Sequence, residues 1–204
     1  MYKKPIIVFE GIEGSGKSTH IKNVERYLLK KKANYIKLRE PGGSRFSEKI
    51  RNLILNKNSN LDKITDLLLY MAARNENVNK IIKKNYRKKI IIIDRFIDST
   101  IAYQHYGMNL DKNLIIKINK LILNNLKIDY TFLHLINTKN LKKRLSKRKR
   151  LNKYDKFNSI FYNKVQKGFL NISKNKKNYL HINSNKSLDL NKKIIINKIE
   201  SLIK

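Results

Sequence analysis

The stretch FEGIEGSGKSTH, residues 9–20, follows an apolar run and holds three of the seven glycines of the chain. It matches the pattern G-x-x-x-x-G-K-[ST] at Gly11, Gly16, Lys17 and Ser18. In this pattern the backbone N–H groups converge on phosphate oxygens, the lysine holds the β- and γ-phosphates, and the hydroxyl binds Mg²⁺. The stretch therefore predicts an ATP-binding loop made of Gly11, Ile12, Glu13, Gly14, Ser15, Gly16, Lys17, Ser18 and Thr19.

Five apolar, β-branched runs predict strands along the chain, at residues 5–10, 34–39, 89–94, 130–136 and 178–183. Segments with helical periodicity separate them, among them residues 18–32, 63–84 and a closing amphipathic helix at 188–204. The first and third runs are apolar throughout, which is typical of parallel strands covered on both faces. The pattern predicts an α/β domain with a five-stranded parallel sheet between helices.

Composition limits the classes of protein to consider. A chain of 204 residues is expected to form one domain, and the lack of Cys excludes disulfides and thiolate metal sites. The apolar run near the N-terminus is too short for a signal peptide, so we expect a cytoplasmic enzyme. The formal net charge of +32 comes from lysines spread along the whole chain. This distribution favours a solvated surface that steers small anions over a nucleic-acid-binding patch.

The segment IIIIDRFIDSTIAYQ, residues 90–104, suggests where the phosphoryl group goes. Asp94 closes a buried strand, where its carboxylate can reach Mg²⁺, and Arg95 follows at the edge where parallel sheets bind ligands. A guanidinium there can bridge donor and acceptor phosphates. Two pairs spaced i, i+4 would then form one polar wall suited to a nucleobase, namely Ser99 with Tyr103 and Thr100 with Gln104.

At this point the chain resembles the bacterial thymidylate kinase (dTMP kinase) family, nearly end to end. The resemblance is carried by FEGIEGSGKST, REPGGSRFSEKIR, LLYMAAR, DRFIDSTIAYQ and NKYDKFNSIFYNKVQKGFLNI, in the family's order. It implies a P-loop kinase fold over residues 1–204 with a lid at about 142–156. It also implies Mg²⁺-dependent transfer from ATP to dTMP in dTTP synthesis, and a homodimer.

The resemblance implies roles for the residues of the acceptor site. Tyr70 would stack on thymine while Arg74 donates to its O4 atom, with Thr100 and Gln104 near N3 and Tyr103 near the sugar. Glu40 would lie near the metal and the acceptor phosphate, Arg51 would reach the acceptor, and Glu13 would point toward the deoxyribose. The predicted dTMP site is thus Glu13, Glu40, Arg51, Tyr70, Arg74, Arg95, Ser99, Thr100, Tyr103 and Gln104.

The basic run at residues 141–157 reads as an exposed, mobile excursion, and the resemblance makes it a lid over the ATP phosphates. In the family form with Gly at position 14, the lid supplies the catalytic cation. The family's pattern of Asp, Arg, apolar residue and acid here reads Asn152, Lys153, Tyr154, Asp155, which is a departure. The predicted catalytic cations are therefore Lys17 and Arg95 with Lys153, or with Arg148 or Arg150 in its place.

Two other readings stay open from the sequence. One is a kinase of another nucleotide or small acceptor, which Tyr70, Arg74 and Gln104 disfavour. The other is a nucleic-acid-binding P-loop ATPase, which the net charge suggests and which the small size disfavours.

Overall fold

The computed structural model describes residues 3–147 and 153–204. Its strands are β1 (Ile6–Gly11), β2 (Tyr35–Arg39), β3 (Ile90–Asp94), β4 (Tyr130–Leu135) and β5 (Tyr179–Asn183). Its α-helices are α1 (Lys17–Lys30), α2 (Arg45–Leu55), α3 (Lys63–Asn77), α4 (Lys83–Asn85), α5 (Ile97–Thr100), α6 (Lys112–Leu123), α7 (Thr138–Leu145), α8 (Ser159–Ser173) and α9 (Leu188–Ile203). π-Helical segments at Val78–Ile82 and Ile101–Gly107 continue α3 and α5, and a 3₁₀ turn spans Lys153–Lys156.

The five strands form one parallel sheet in the order β2-β3-β1-β4-β5, which confirms the predicted fold class. β1 is central, and every residue of it is buried. Its register pairs Phe9 with Asp94 on β3 and Gly11 with His134 on β4. The carboxyl ends of the three middle strands therefore meet at one edge of the sheet, which is where such sheets bind ligands.

Alternate residues of the central strands feed two cores on opposite faces of the sheet. Ile7 and Phe9 pack in a cluster with residues of α1 and α9, including Leu28 and Ile199. Ile6 and Val8 pack in another cluster with residues of α3 and the π-helical segment that follows it. Each fully buried aliphatic side chain contributes about 1.5–3 kcal/mol of transfer free energy. Because helices cover both faces of the sheet, the first four side chains of β1 are apolar whichever face they point to, and they show no alternation of apolar and polar residues.

The π-helical segment Ile101–Gly107 packs closely against α8. A Cβ atom at Gly107 would lie 2.7 Å from the Phe161 ring, and one at Gly168 would lie 2.6 Å from the Tyr106 ring. Both positions therefore need glycine for space rather than for backbone conformation. This contact brings the Tyr103 ring beside α8.

The basic run differs in part from the exposed excursion that the sequence suggests. Its first part continues α7, where Leu141 is 2% exposed because it packs in the core. After residues 148–152, which lie outside the described part of the chain, Tyr154 is 3% exposed because its ring packs in the same cluster. Within residues 3–147 and 153–204, no helix is both long enough and apolar enough to cross a membrane.

Candidate active site

The predicted phosphate-binding loop joins the end of β1 to the start of α1. Gly11 has a φ of 136°, and a Cβ atom there would lie 2.4 Å from the carbonyl oxygen of His134. The Ser15 hydroxyl donates to the Ile12 carbonyl at 2.8 Å and closes the turn. Gly16, the N-cap residue of α1, has no side chain to cap the helix. The first N–H groups of α1 are thus suited to bind a phosphate.

Lys17 lies under this loop with its ammonium group on backbone carbonyls. Its Nζ donates to the carbonyl oxygens of Gly11 at 2.8 Å and Ile12 at 3.0 Å. Burial lowers the pKa of Lys17 to about 8, and the neighbouring positive charge of Arg95 adds to the effect. Bound phosphate oxygens would raise the pKa of Lys17 again, because a nearby negative charge favours the charged form of the ammonium group.

Ser18 and Asp94 form a small oxygen-rich corner beside the loop. The Ser18 hydroxyl lies 3.4 Å from Asp94 Oδ2, while Asp94 Oδ1 is buried without a hydrogen-bond partner among the described residues. Hard oxygen donors of this kind suit Mg²⁺. In the described part of the chain no cluster of three or more His, Cys, Asp or Glu side chains could hold a metal. Mg²⁺ fits this corner only if a nucleotide and water supply most of its ligands. Kinases commonly bind Mg²⁺ in this way.

Arg95 lies at the mouth of this corner with a φ of 66°, a left-handed backbone that non-glycine residues rarely adopt. Its guanidinium donates to the Gly11 carbonyl and to Glu13 Oε1, both at 2.8 Å, and lies 5.2 Å from the centre of the Tyr103 ring. The Tyr103 hydroxyl in turn donates to Glu13 Oε2. Burial opposes ionisation, but Arg95 and Lys17 hold the pKa of Glu13 below its usual value. The three predicted residues thus form one charged group.

Glu10 holds the backbone around Arg95, and the sequence reasoning missed it. Its Oε1 accepts from the N–H groups of Phe96 at 2.8 Å and Ser99 at 3.2 Å, and its Oε2 accepts from the Ser99 hydroxyl. Complete burial raises the pKa of Glu10 to about 7, with help from the charge of Asp98. A carboxylate at the end of an apolar strand was the available signal, because such a group must find donors.

A cavity of about 200 Å³ opens between the loop, β3, α2, α3 and α5. It brings together most of the residues predicted for both nucleotides and the metal, namely Glu13, Gly14, Lys17, Ser18, Glu40, Arg51, Tyr70, Arg74, Asp94, Arg95, Ser99, Thr100, Tyr103 and Gln104. The other predicted residues of the loop do not line this cavity. Ile12 is 2% exposed and packs in the core, and Thr19 is exposed on the first turn of α1.

The guanidinium of Arg74 is hydrogen-bonded to other protein groups in the wall of this cavity, whereas the prediction assigned it a contact with the base. Its Nε donates to Glu40 Oε2 at 2.7 Å and one terminal nitrogen donates to Asn119 Oδ1 at 2.6 Å. The other terminal nitrogen donates to the Phe96 carbonyl at 3.0 Å and to the Thr100 hydroxyl at 2.8 Å. With a side chain 1% exposed, Arg74 ties α3 to three other parts of the chain. A bond to a base would require exchange of one of these contacts.

Glu40 and Arg51 lie on the α2 side of the cavity. Burial raises the pKa of Glu40 despite its ion pair with Arg74. The Glu40 N–H donates to the carbonyl of Asp94 at 2.9 Å, which holds β2 and β3 together next to the predicted metal corner. Arg51 donates to the Pro41 carbonyl at 2.5 Å, and burial lowers its pKa. Both side chains therefore face the cavity with partners supplied by the protein.

Of the three predicted lid cations, one lies in the described part of the chain. Lys153 forms an ion pair with Asp66 on α3, and Arg148 and Arg150 lie outside the described residues. Arg144 on α7, which the sequence reasoning did not select, donates to the Gly14 carbonyl at 2.9 Å and to the Ser184 carbonyl at 2.7 Å. It thus reaches the phosphate-binding loop. Nothing in a run of basic residues distinguishes Arg144 from its neighbours, so the sequence offered no signal for it.

Comparison with known proteins agrees with this geometry. The profile of the family described as "Thymidylate kinase" matches residues 9–195. The thymidylate kinase of Wolbachia pipientis wMel is 42% identical over 170 residues, which cover 82% of this chain and 84% of that protein. The thymidylate kinase of Acholeplasma laidlawii (strain PG-8A) is 39% identical over 198 residues, which cover 95% of this chain and 97% of that protein.

A solved structure gives the same result in three dimensions. The crystal structure of thymidylate kinase from Ehrlichia chaffeensis superimposes with a TM-score of 0.78 at 34% sequence identity. The match covers 97% of this chain and 98% of that one. The similarity therefore extends over the sheet, the cavity and the helices around them.

Proposed function

This chain belongs to the thymidylate kinase family, and from that premise we propose that it transfers the γ-phosphoryl group of ATP to the 5′-phosphate of dTMP, giving dTDP and ADP. The observation that carries the proposal is the shared cavity. Lys17 and Ser18 of the phosphate-binding loop open into the same space as Tyr70 and Gln104 of the acceptor wall. Donor and acceptor phosphates would then meet beside Arg95.

The chain's own groups supply positioning and charge. Lys17 would exchange its bonds to the carbonyls of Gly11 and Ile12 for bonds to the β- and γ-phosphates. Arg95 would exchange its bond to Glu13 for bonds to oxygens of the transferring phosphoryl group. Its planar guanidinium can contact two of these oxygens at once. The released Glu13 carboxylate, still bonded to the Tyr103 hydroxyl, would face the sugar of the acceptor. No covalent intermediate on the protein is needed.

Ser18 and Asp94 would hold Mg²⁺, whose charge would offset that of the β- and γ-phosphates when the ion is bound. Asp94 Oδ1 supports this assignment, because it has no hydrogen-bond donor within residues 3–147 and 153–204 and a buried carboxylate oxygen without a donor is costly. The lid cation remains a prediction for Arg148, Arg150 and Lys153.

On the acceptor side, Tyr70 would offer its ring to thymine and Thr100 and Gln104 would line the edge of the base. Arg74 would bond to the base in exchange for one of its present partners. Ser99 would not contact dTMP directly. Its hydroxyl is already bonded to Glu10, so it would help to hold the backbone around Arg95. Arg51 would receive the acceptor phosphate, in exchange for the Pro41 carbonyl.

The test measures ADP release with each possible acceptor. We expect slow hydrolysis of ATP alone, fast turnover with dTMP, and a product that comigrates with dTDP on ion-exchange chromatography. Chelation of Mg²⁺ should stop the reaction and added Mg²⁺ should restore it. Lys17→Ala should be inactive with every acceptor. Turnover stimulated by single-stranded DNA and indifferent to dTMP would favour the nucleic-acid-dependent ATPase that the net charge suggests.

We also propose a cytoplasmic homodimer. Helices α2 and α3 expose the apolar side chains of Phe46, Leu53 and Leu68, at 56%, 58% and 52%, and we infer that the second chain covers them. Light scattering on the purified protein should give about twice the chain mass. Leu53→Lys should shift that mass toward one chain, whereas Leu121→Lys on α6 serves as the matched exposed control.

A further inference from the structure

The first turn of α3 carries a buried carboxylate that faces the end of the basic run. Asp66 is 2% exposed, and its Oδ1 forms an ion pair with Lys153 Nζ. Its Oδ2 lies 3.3 Å from the Tyr154 hydroxyl. A buried carboxylate needs such partners, because an uncompensated charge in the interior costs several kcal/mol. Asp66 therefore fixes the place of two consecutive residues that are distant from it in the chain.

Tyr154 enters the acceptor cavity from this anchor. Its ring packs edge-on against Tyr103, with ring centres 5.4 Å apart and planes at 87°. Its hydroxyl lies 2.8 Å from that of Tyr70 and 3.4 Å from Gln104 Nε2. Three residues of the predicted acceptor wall thus contact one side chain of the segment that the family resemblance makes a lid over the ATP phosphates.

The direction of these bonds follows from donor and acceptor chemistry. Carboxylate oxygens only accept, so Tyr154 donates its one hydroxyl proton to Asp66. It must then accept from the other two groups, which makes Tyr70 a donor and turns the Nε2 end of Gln104 toward Tyr154. Burial, together with Tyr70 and Asp66, keeps the pKa of Tyr154 far above neutrality, so the proton stays in place. The orientation of the Gln104 amide is therefore set by Asp66 through Tyr154.

From this arrangement we propose that Asp66, Lys153 and Tyr154 form an acceptor latch, in which Tyr154 positions Tyr70 and Gln104 and thereby sets the base specificity of the site. The inference rests on the proposed function for the identity of the acceptor. Its chemical content is that the Gln104 carbonyl is turned to the side away from Tyr154. A base that presents an N–H group, as thymine does at N3, matches that carbonyl, and cytosine, whose N3 is an acceptor, does not.

The latch also explains why a lysine stands at position 153. An ammonium group binds one carboxylate oxygen and leaves the other for the Tyr154 hydroxyl. A guanidinium takes both oxygens with its fork and would displace Tyr154. Lys153 is in this reading a positioning residue on the acceptor side.

The kinetic test compares Tyr154→Phe with Tyr130→Phe, a matched control at the opposite end of the sheet. Tyr154→Phe should raise the KM for dTMP about three- to tenfold, as loss of one buried hydrogen bond does. It should leave the KM for ATP unchanged and narrow the preference for dTMP over dCMP by a similar factor. Lys153→Arg should act in the same direction. An unchanged ratio of dTMP to dCMP turnover in Tyr154→Phe would overturn the specificity claim.

The variant Lys153→Met distinguishes the latch from the alternative that Lys153 is a cation bound to the transferring phosphoryl group. The latch predicts a rise in the KM for dTMP that exceeds any fall in kcat. A fall in kcat with an unchanged KM for dTMP would instead assign Lys153 to the transition state and overturn the latch.

A measurement on the free protein keeps the two proposals apart. In urea unfolding, Asp66→Asn and Lys153→Met should be coupled, so that the double variant loses less stability than the sum of the single variants. This coupling does not depend on any substrate. Additive losses would overturn the latch even in an active thymidylate kinase, whereas coupling in a protein that ignores dTMP would refute only the proposed function.

Discussion

Arg95 adopts a strained backbone and touches three parts of the site before any phosphate is present. Its φ of 66° is held by Glu10 through the next residues, and its guanidinium lies between the Gly11 carbonyl and Glu13. The side chain is thus aimed at the cavity in advance. Positioning of this kind avoids reorganisation during the reaction.

Arg95→Lys should lower kcat about a hundredfold or more, because an ammonium group cannot replace a fork that holds two oxygens. The measurement is steady-state turnover with both nucleotides saturating. Arg87→Lys, at an exposed arginine paired with Asp129, is the control and should be silent. Near-normal turnover of Arg95→Lys would mean that Arg95 does not bridge the phosphates.

Arg74→Ala should destabilise the fold by about 3–5 kcal/mol as well as weaken dTMP binding. The substitution leaves the buried Glu40 carboxylate without its cation, and such an uncompensated charge is costly. Urea unfolding of the free protein measures the loss. Arg51→Ala, which lacks a buried carboxylate partner among the described residues, should cost much less. Wild-type stability of Arg74→Ala would show that the guanidinium is not essential to the wall.

At the scale of elements, Glu10 ties the end of β1 to the N-terminus of α5. Its pKa of about 7 in the folded protein exceeds the usual value of about 4.5 because burial disfavours the charge. The folded state therefore keeps a proton that the unfolded chain releases. The stability that this proton contributes is present below pH 4.5 and is lost as the pH rises to 7.

Glu10→Gln should remove this pH dependence, since the amide never ionises and can still accept the two N–H bonds. Its stability relative to the unmodified protein should rise between pH 4.5 and 7 and then level off, with a gain on the order of 3 kcal/mol. Urea midpoints at several pH values measure the curve. Asp98, whose charge faces Glu10, stays in both proteins. Parallel curves for the two proteins would contradict the assignment of the titration to Glu10.

The sequence predicted the five strands to within a residue at each end, because buried β-branched runs end where polar residues begin. It also predicted the phosphate-binding loop, whose chemistry is local. It did not predict the π-helical segments at Val78–Ile82 and Ile101–Gly107, since one extra residue in a turn leaves the apolar pattern almost unchanged. The second segment depends on the close approach of α8 at Gly168, which is a tertiary contact.

The side-chain pairs that complete the site were not predictable for the same reason. Asp66 and Lys153 are 87 positions apart, and each is an ordinary residue for its local setting. An acid in the first turn of a helix normally interacts with the helix dipole. Arg74 was identified through the family resemblance, but its partner Asn119 lies 45 positions away on α6.

At the scale of the whole molecule, the excess of 47 basic over 15 acidic residues sets the electrostatics. Self-repulsion on this scale opposes folding. Raising NaCl from about 0.01 M to about 0.1 M shortens the Debye length from about 30 Å to about 10 Å and should therefore raise the Tm by several degrees. Calorimetry measures the shift.

A charge-reduced variant provides the control for this effect. The substitutions Lys84→Gln, Lys120→Gln and Lys177→Gln lie at exposed positions on different parts of the surface. Together they should raise the Tm at low salt and flatten its dependence on NaCl. An equal salt dependence in both proteins would mean that repulsion among these surface lysines does not cause the effect.

The central position of β1 in the sheet has a consequence for when the chain can fold during its synthesis. β1 precedes its neighbours β3 and β4 by many residues in the chain, and the Ile6 N–H donates to the Asp129 carboxylate across 123 positions. Closing such long loops is slow, so folding should lag behind synthesis. We therefore expect the phosphate-binding loop to acquire its shape on the ribosome only after β4 has emerged. A nascent chain stalled before Tyr130 should therefore be sensitive to protease and unable to retain ATP, although its nucleotide motif is complete.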